Sequence, residues 1–432
     1  MRCTYACGSD DHRIARRRFL SGVGAGVGAG LGFGNFGSMI LPAATQQLKS
    51  QHKSVLVFFL SGGSSQLETW DPKPGTETGG PFRAIPTTVP GIHVCELLPK
   101  TAQQMHHLSL IRSINTKENE HGRGRRMMES GRPNSPATEY PHLGAVVAKA
   151  LSEEDSPLPG HIHVSSGGGG SRRNDSAYLG PKYASVVVGA DGKGLPHSEL
   201  PQSLSNERDE RRQAFRRKVN DHFYRRRRTA EMNAYTQSYE QALQLMKRRD
   251  IFDITKESDK ARERYGDHDL GRQCLLARRL LEQGITFVQV SHSNYDTHNE
   301  NFNFHLEQLG EFDQAFATLI DDLADRSMLE STLVIVMSEF GRTPKINRNF
   351  GRDHWGTAWS IAMAGTGIQS GAVIGKTNDK GTEVTDREVD HRHLFHTYLS
   401  AVGLDSTNDF HIGGRDIPMA DPSVEPIAEL LT

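Results

Sequence analysis

Continuous apolar runs, rather than alternating ones, mark the strands of this chain. Ser54–Leu60 (SVLVFFL) offers no polar face, the pattern of a strand covered on both sides, and Ser61-Gly62-Gly63 ends it abruptly. Ile285–Val290 (ITFVQV) and Thr332–Met337 (TLVIVM) read the same way, with a shorter run at Ser360–Ala364. Helical spacing lies between them. Leu309, Phe312, Phe316, Leu319 and Leu323 share one side of Phe304–Arg326, Cys274–Gln283 continues a helix, and His393–Val402 predicts another. In the first half, Pro99–His107 and Pro141–Leu151 read as helices after proline- and glycine-rich loops that run through Gly91. Leu108–Ile111, His161–Val164 and Ser185–Val188 read as short strands, the last two on either side of a Gly167–Gly170 loop. Apolar strands alternating with helices predict an α/β fold, a mainly parallel sheet with helices on both faces.

Residues 205–250 differ in character. Phe215, Val219 and Phe223 repeat every four residues, and Met232, Tyr235, Tyr239, Leu243 and Met246 form a second stripe. With Arg225–Arg228 between them, they predict a basic amphipathic helical pair, inserted in a helical stretch reaching residue 283. Glu207, Asp209, Glu210, Glu231 and Glu240 dilute the positive charge, so no nucleic acid is expected as partner.

Composition sharpens this picture at the amino terminus. The 432 residues carry 51 basic and 52 acidic side chains, a net charge of −1 that argues against a general polyanion binder. Residues 1–48 hold five basic and two acidic groups, leaving the rest near −4. Ala15-Arg16-Arg17-Arg18-Phe19-Leu20-Ser21 precedes a glycine-rich, weakly apolar run to Leu41 and then Pro42-Ala43-Ala44. That is a twin-arginine export signal by pattern, which would engage the twin-arginine export machinery and leave a periplasmic or extracellular protein of residues 49–432 in one domain. Eight glycines between Gly22 and Gly37 make a poor membrane helix, so no stable span is expected after processing. Of four cysteines, Cys3 and Cys7 lie in this leader; Cys95 and Cys274 remain, as buried thiols or one disulfide.

Four polar clusters fall just past apolar runs, where open parallel sheets gather functional groups. They are Ser61–Pro72, Ser291–His298, Ser338–Pro344 and Gly351–Gly356. Asp296 and His298, two apart on an extended segment, would face one way and hold a divalent metal such as Zn²⁺ or Mn²⁺, with His354 as a third ligand. Glu339 would be a ligand, a general base or an orienting carboxylate. Arg342 offers a planar fork for phosphate, sulfate or carboxylate, and the Ser61-Gly62-Gly63 turn can aim N–H groups at an anion.

These clusters, with Gln66 through Pro74, Gly80-Pro81-Phe82, Pro90-Gly91 and Glu96-Leu97-Leu98-Pro99, resemble the secreted proteins of domain of unknown function 1501 over nearly the whole mature chain. That family is similar to a branch of the alkaline phosphatase and sulfatase superfamily. The resemblance implies an alkaline-phosphatase-like domain and metal-assisted hydrolysis of a small phosphate or sulfate ester, or of a sulfated or phosphorylated glycan. It also implies one metal between Asp296, His298 and His354. A second superfamily site would use an Asp where Ser61 stands and an Asp-His pair where Glu339-Phe340 stands, so its imidazole is missing. The superfamily nucleophile begins a helix, which places His121 there and Arg125 at an anion-binding position. The losses leave a second expectation open: a catalytically degenerate anion- or glycan-binding or surface-assembly protein on the same fold.

Overall fold

Ser54–Leu60 (β1) is buried at all seven positions, as its uninterrupted apolar run requires. The computed structural model describes Lys49 and residues 51–432, apart from 134, 137, 154–155, 166–174, 191–194, 196–197, 227–229 and 413, and apart from side chains in 224–235 and 237–238. The expected export leader and the Gly167–Gly170 loop lie outside the described residues, as do the Met232 and Tyr235 side chains. Leu48–Thr432 forms one compact unit.

Eight strands make the main sheet: β1, β2 (Leu108–Ile114), β3 (His161–Ser165), β4 (Val186–Gly189), β5 (Phe287–His292), β6 (Thr332–Met337), β7 (Trp359–Gly365) and β8 (Val373–Ile374). Their spatial order is β8-β2-β7-β6-β1-β5-β3-β4. β1 pairs in parallel with both β5 and β6, β3 with β5 and β4, and β8 with β2. Among the described residues, only β7 of this sheet runs the other way, antiparallel to β6 and β2. The reversal has a local cause. His354–Trp355 already pairs with Gly341–Arg342 beyond the carboxyl end of β6, so the next strand starts at that edge and runs back.

Two helical layers cover the sheet. On one face Leu56, Phe58 and Leu60 meet Asp269–Glu282 and Asn301–Asp325, and Phe58 packs edge-on against Phe312 and Phe316 at 6.1 and 5.1 Å. On the other, Val55, Val57 and Phe59 meet Leu143–Leu151 and His391–Ala401. Each side chain from Val55 to Leu60 therefore has an apolar partner, while Ser54 bonds Thr332 Oγ1 at 3.0 Å, and burial of one such apolar residue is worth about 1.5–3 kcal/mol.

Several expectations shift in register or kind. β5 ends two residues later than its apolar run, carrying Ser291 and His292 into the sheet. The stretch after Pro99 stops being α-helical at Gln103 and continues as a short 3₁₀ turn. Cys95 and Cys274 are free, buried thiols. The helical pair forms as Asn206–Arg226 and Ala230–Lys247, but its first stripe does not enter the core. Phe215 is 69% exposed, and Val219 and Phe223 are also open to solvent. Among the described residues, no helix is long and apolar enough to cross a membrane.

Candidate active site

Three adjacent parallel strands, β6, β1 and β5, end side by side and deliver Glu339, the Ser61-Gly62-Gly63 turn and Asp296 to one edge. The turn needs glycine. Gly62 has φ +117°, and a Cβ there would lie 2.4 Å from the backbone nitrogen of Asp296. Its N–H groups point inward rather than at a free anion. Gly62 N–H donates to Glu339 Oε1 at 2.9 Å, and the Gly63 and Ser64 N–H groups share Ser338 Oγ at 3.1 Å. The expected anion cradle is thus a brace that holds Glu339.

β2 runs toward the same edge and is followed by the helix His121–Ser130, whose first residue enters the site. His121 Nδ1 meets Glu339 Oε1 at 2.7 Å, and its Nε2 lies 3.3 Å from Asp296 Oδ2. The other oxygen of Asp296 faces His298 Nε2 and His354 Nε2, each at 3.1 Å, and those two nitrogens are 3.0 Å apart. Asp296 and His298 do not sit on an extended segment as expected. Backbone bonds from Thr297 N to Tyr295 O and from His298 N to Asp296 O curl the loop, which turns both side chains onto the same point.

All three imidazoles are oriented in one way. His121 Nδ1 faces Glu339, His298 Nδ1 faces Asp353 Oδ1 at 2.7 Å, and His354 Nδ1 faces the Asn119 carbonyl at 2.7 Å. An acceptor at Nδ1 places the proton there and leaves Nε2 with its lone pair toward Asp296. Imidazole lone pairs gathered around a carboxylate, with each ring backed by a carboxylate or carbonyl, are the donors and orienting shell that a divalent cation requires. His121, Asp296 and His354 each place a ligand atom within 4.8 Å of the others. The residues present therefore fit a divalent cation. Glu339 is not among these atoms; it acts through His121.

The charges agree with this arrangement. Burial would raise the Asp296 carboxyl, but the Arg342 hydrogen bond and charge and the His354 contact outweigh it and bring it to about 2. His121 is raised by its hydrogen bond to Glu339, against the opposing effect of burial. Burial lowers His354.

Arg342, expected to hold an anionic group, is fully buried, and four of its five guanidinium donors are taken. It donates to the carbonyls of Gly62, Gly63 and Arg352 and to Asp296, so it fixes the carboxylate and ties the loops together. Arg125 is likewise turned inward. It pairs with Glu129 at 3.0 Å and stacks over Phe59 at 4.4 Å, one helical turn beyond His121. Sequence reading missed the buried bidentate pair Arg352–Glu68, at 3.0 and 2.7 Å, which joins the loop after β1 to the segment bearing His354. Both residues stood in clusters past strand ends, so position was an available signal. The Asn119 carbonyl had none.

No curated protein is significantly similar to the chain. Structurally it is similar to members of the alkaline phosphatase and sulfatase superfamily. With a PsFucS1 sulfatase from Pseudoalteromonas sp. it shares 14% identity over 85% of this chain and 71% of that one, at a TM-score of 0.40. With a protein in the alkaline phosphatase superfamily from Vibrio parahaemolyticus it shares 11% over 86% and 78%, at 0.34. For alkaline phosphatase from the Antarctic bacterium TAB5 the values are 13%, 82% and 98%, at 0.37. The family described as "Protein of unknown function (DUF1501)" matches residues 52–431, nearly all of the described structure, and the chain belongs to that family.

Proposed function

We propose that the protein is an exported, metal-assisted hydrolase of phosphate or sulfate esters, with its reaction centred on Asp296. The observation that carries this reading is the common orientation of His121, His298 and His354, each with Nδ1 on an acceptor and Nε2 toward Asp296. Asp296, His298 and His354 would hold a divalent ion such as Zn²⁺ or Mn²⁺, which supplies Lewis acidity toward an ester oxygen and acidifies bound water. The remaining work falls to this chain's own groups. Glu339 holds His121 in register, and His121 Nε2 is placed to carry a proton to or from the reacting group. Arg342 fixes Asp296 without touching substrate. The sequence resemblance supplies the ester class.

The test uses the mature chain purified with its metal. Bound ions are counted, and aryl phosphates and sulfates are screened for turnover. Metal near stoichiometry, with turnover abolished in Asp296→Asn, supports the proposal; a metal-free, inert protein unchanged by that substitution refutes it. Ser61 and Phe340, standing where the resemblance calls for an Asp and a His of a second metal site, favour a second reading, an anion- or glycan-binding protein without turnover. Anion-dependent thermal stabilisation of an inactive protein would select that one.

A further inference from the structure

A second cluster lies away from the strand ends, inside the sheet–helix layer. His161 and His163 are two apart on β3 and so share a face. His163 is level with Gln289, and Gln289 with Val57, placing the cluster in mid-sheet rather than beyond Leu60 and His292. His161, His163 and Asp175 are 1%, 4% and 1% exposed. The two Nε2 atoms face each other at 3.0 Å, and each of the three residues puts a ligand atom within 4.8 Å of the others.

The surroundings hold these donors as a ligand set would be held. His161 Nδ1 meets the Tyr183 carbonyl at 3.1 Å, which places its proton there and leaves the Nε2 lone pair facing His163 Nε2, whose proton a bound metal would displace. Both oxygens of Asp175 accept the Ser185 N–H at 3.2 Å, and its own carbonyl accepts from His142 N at 2.8 Å. Gly144, in the first turn of Leu143–Leu151, packs directly on the ring; a Cβ there would fall 2.2 Å from His161 Nε2. In a tetrahedral site with Zn–N bonds of about 2.0–2.1 Å, two nitrogens stand roughly 3.3 Å apart. The rings need to open by only a few tenths of an ångström.

We infer that His161, His163 and Asp175 form a buried structural site for a divalent transition metal of the Zn²⁺ class, separate from the Asp296 centre. Two imidazoles and a carboxylate match that class in hardness, and an ion balances the carboxylate charge in the interior. It would pin β3 to the segment 175–185, beside the start of Leu143–Leu151 where Gly144 packs on the His161 ring.

The experiment counts zinc per chain in the full-length mature protein by mass spectrometry, after expression with zinc and removal of loose ions. Two ions are expected in the wild type. Asp175→Asn, which keeps an acceptor for Ser185, and His163→Gln should each leave one. The combined active-site variant Asp296→Asn, His298→Gln and His354→Gln should also keep one ion, and its melting temperature should still rise with added zinc. That last readout needs no folded variant of the second site. Equal zinc in wild type and Asp175→Asn overturns the inference, as does an active-site variant that binds no zinc and does not respond to it. The inference does not rest on the hydrolase reading: an inert protein whose active-site variant retains one ion refutes the hydrolase and leaves this site standing.

Discussion

Asp296 is held between opposing demands. Its side chain is about half exposed, at 48%, yet a fully buried guanidinium and two imidazole nitrogens converge on one of its oxygens. The Arg342 contact sets its direction, because three backbone carbonyls fix that guanidinium from behind. Lysine cannot reproduce this fork. Arg342→Lys should leave buried carbonyls without donors and let Asp296 swing. The expected outcome is a 10- to 100-fold loss of metal affinity, measured by competition with a chromogenic chelator, together with a lower melting temperature. Unchanged affinity would mean that Asp296 is positioned without Arg342. Glu339 makes the complementary case. It touches no ligand atom of the Asp296–His298–His354 set, so Glu339→Gln should retain metal while slowing turnover by about 10²–10⁴-fold, the usual range for a displaced proton carrier. Loss of metal in that variant would instead make His121 a ligand.

At the level of elements, helix starts and strand ends do the positioning. His121–Ser130 begins with His121 at the candidate active site and reaches Glu129 near its end, which approaches His142 and Gln289 beside the second cluster. Strand ends could be read from the chain because apolar runs stop sharply; thus Asp296, His298, Glu339 and His354 were all visible in advance. His121 stood out less, because a histidine opening a glycine- and arginine-rich segment has no periodic signature. The Gly62 brace resembles an anion cradle in the sequence, because a sequence shows the N–H groups but not the carboxylate that occupies them. His391–Ala401 illustrates a start with a titratable cap. Asp390 accepts from Arg392 N at 2.9 Å and His393 N at 3.3 Å, and although burial would raise its carboxyl, the His393 and Arg392 contacts hold it well below the usual range. The folded pKa lies below the unfolded one. The cap therefore stabilises above about pH 3.9 and loses its effect as pH falls below that value. Asp390→Ala should cost about 0.5–2 kcal/mol at neutral pH, and the gap to wild type should narrow toward pH 3 in thermal melts. A constant gap would show that the cap's charge plays no part.

Across the whole molecule, burial separates what the apolar pattern got right from what it did not. The same helical spacing that placed Phe312 and Phe316 in the core also suggested a packed face for Phe215, Val219 and Phe223, which lie open. Periodicity reports that a helix has an apolar side. It does not report what covers that side, and only the three layers of the fold decide this. Phe316 is fully buried and touches Phe58 at 5.1 Å and Phe312 at 5.0 Å, so Phe316→Ala should cost about 3–5 kcal/mol. Phe215, at 69% exposure, is the contrast, and Phe215→Ser should change stability by less than about 0.5 kcal/mol. Denaturant melts of the two variants measure both. The comparison also isolates the site from the core: each variant should bind metal with wild-type affinity below its transition, because neither residue contacts Asp296, its imidazoles or the loops that orient them. A cost for Phe215→Ser of the same size as that for Phe316→Ala would show that the stripe on Asn206–Arg226 is covered in solution.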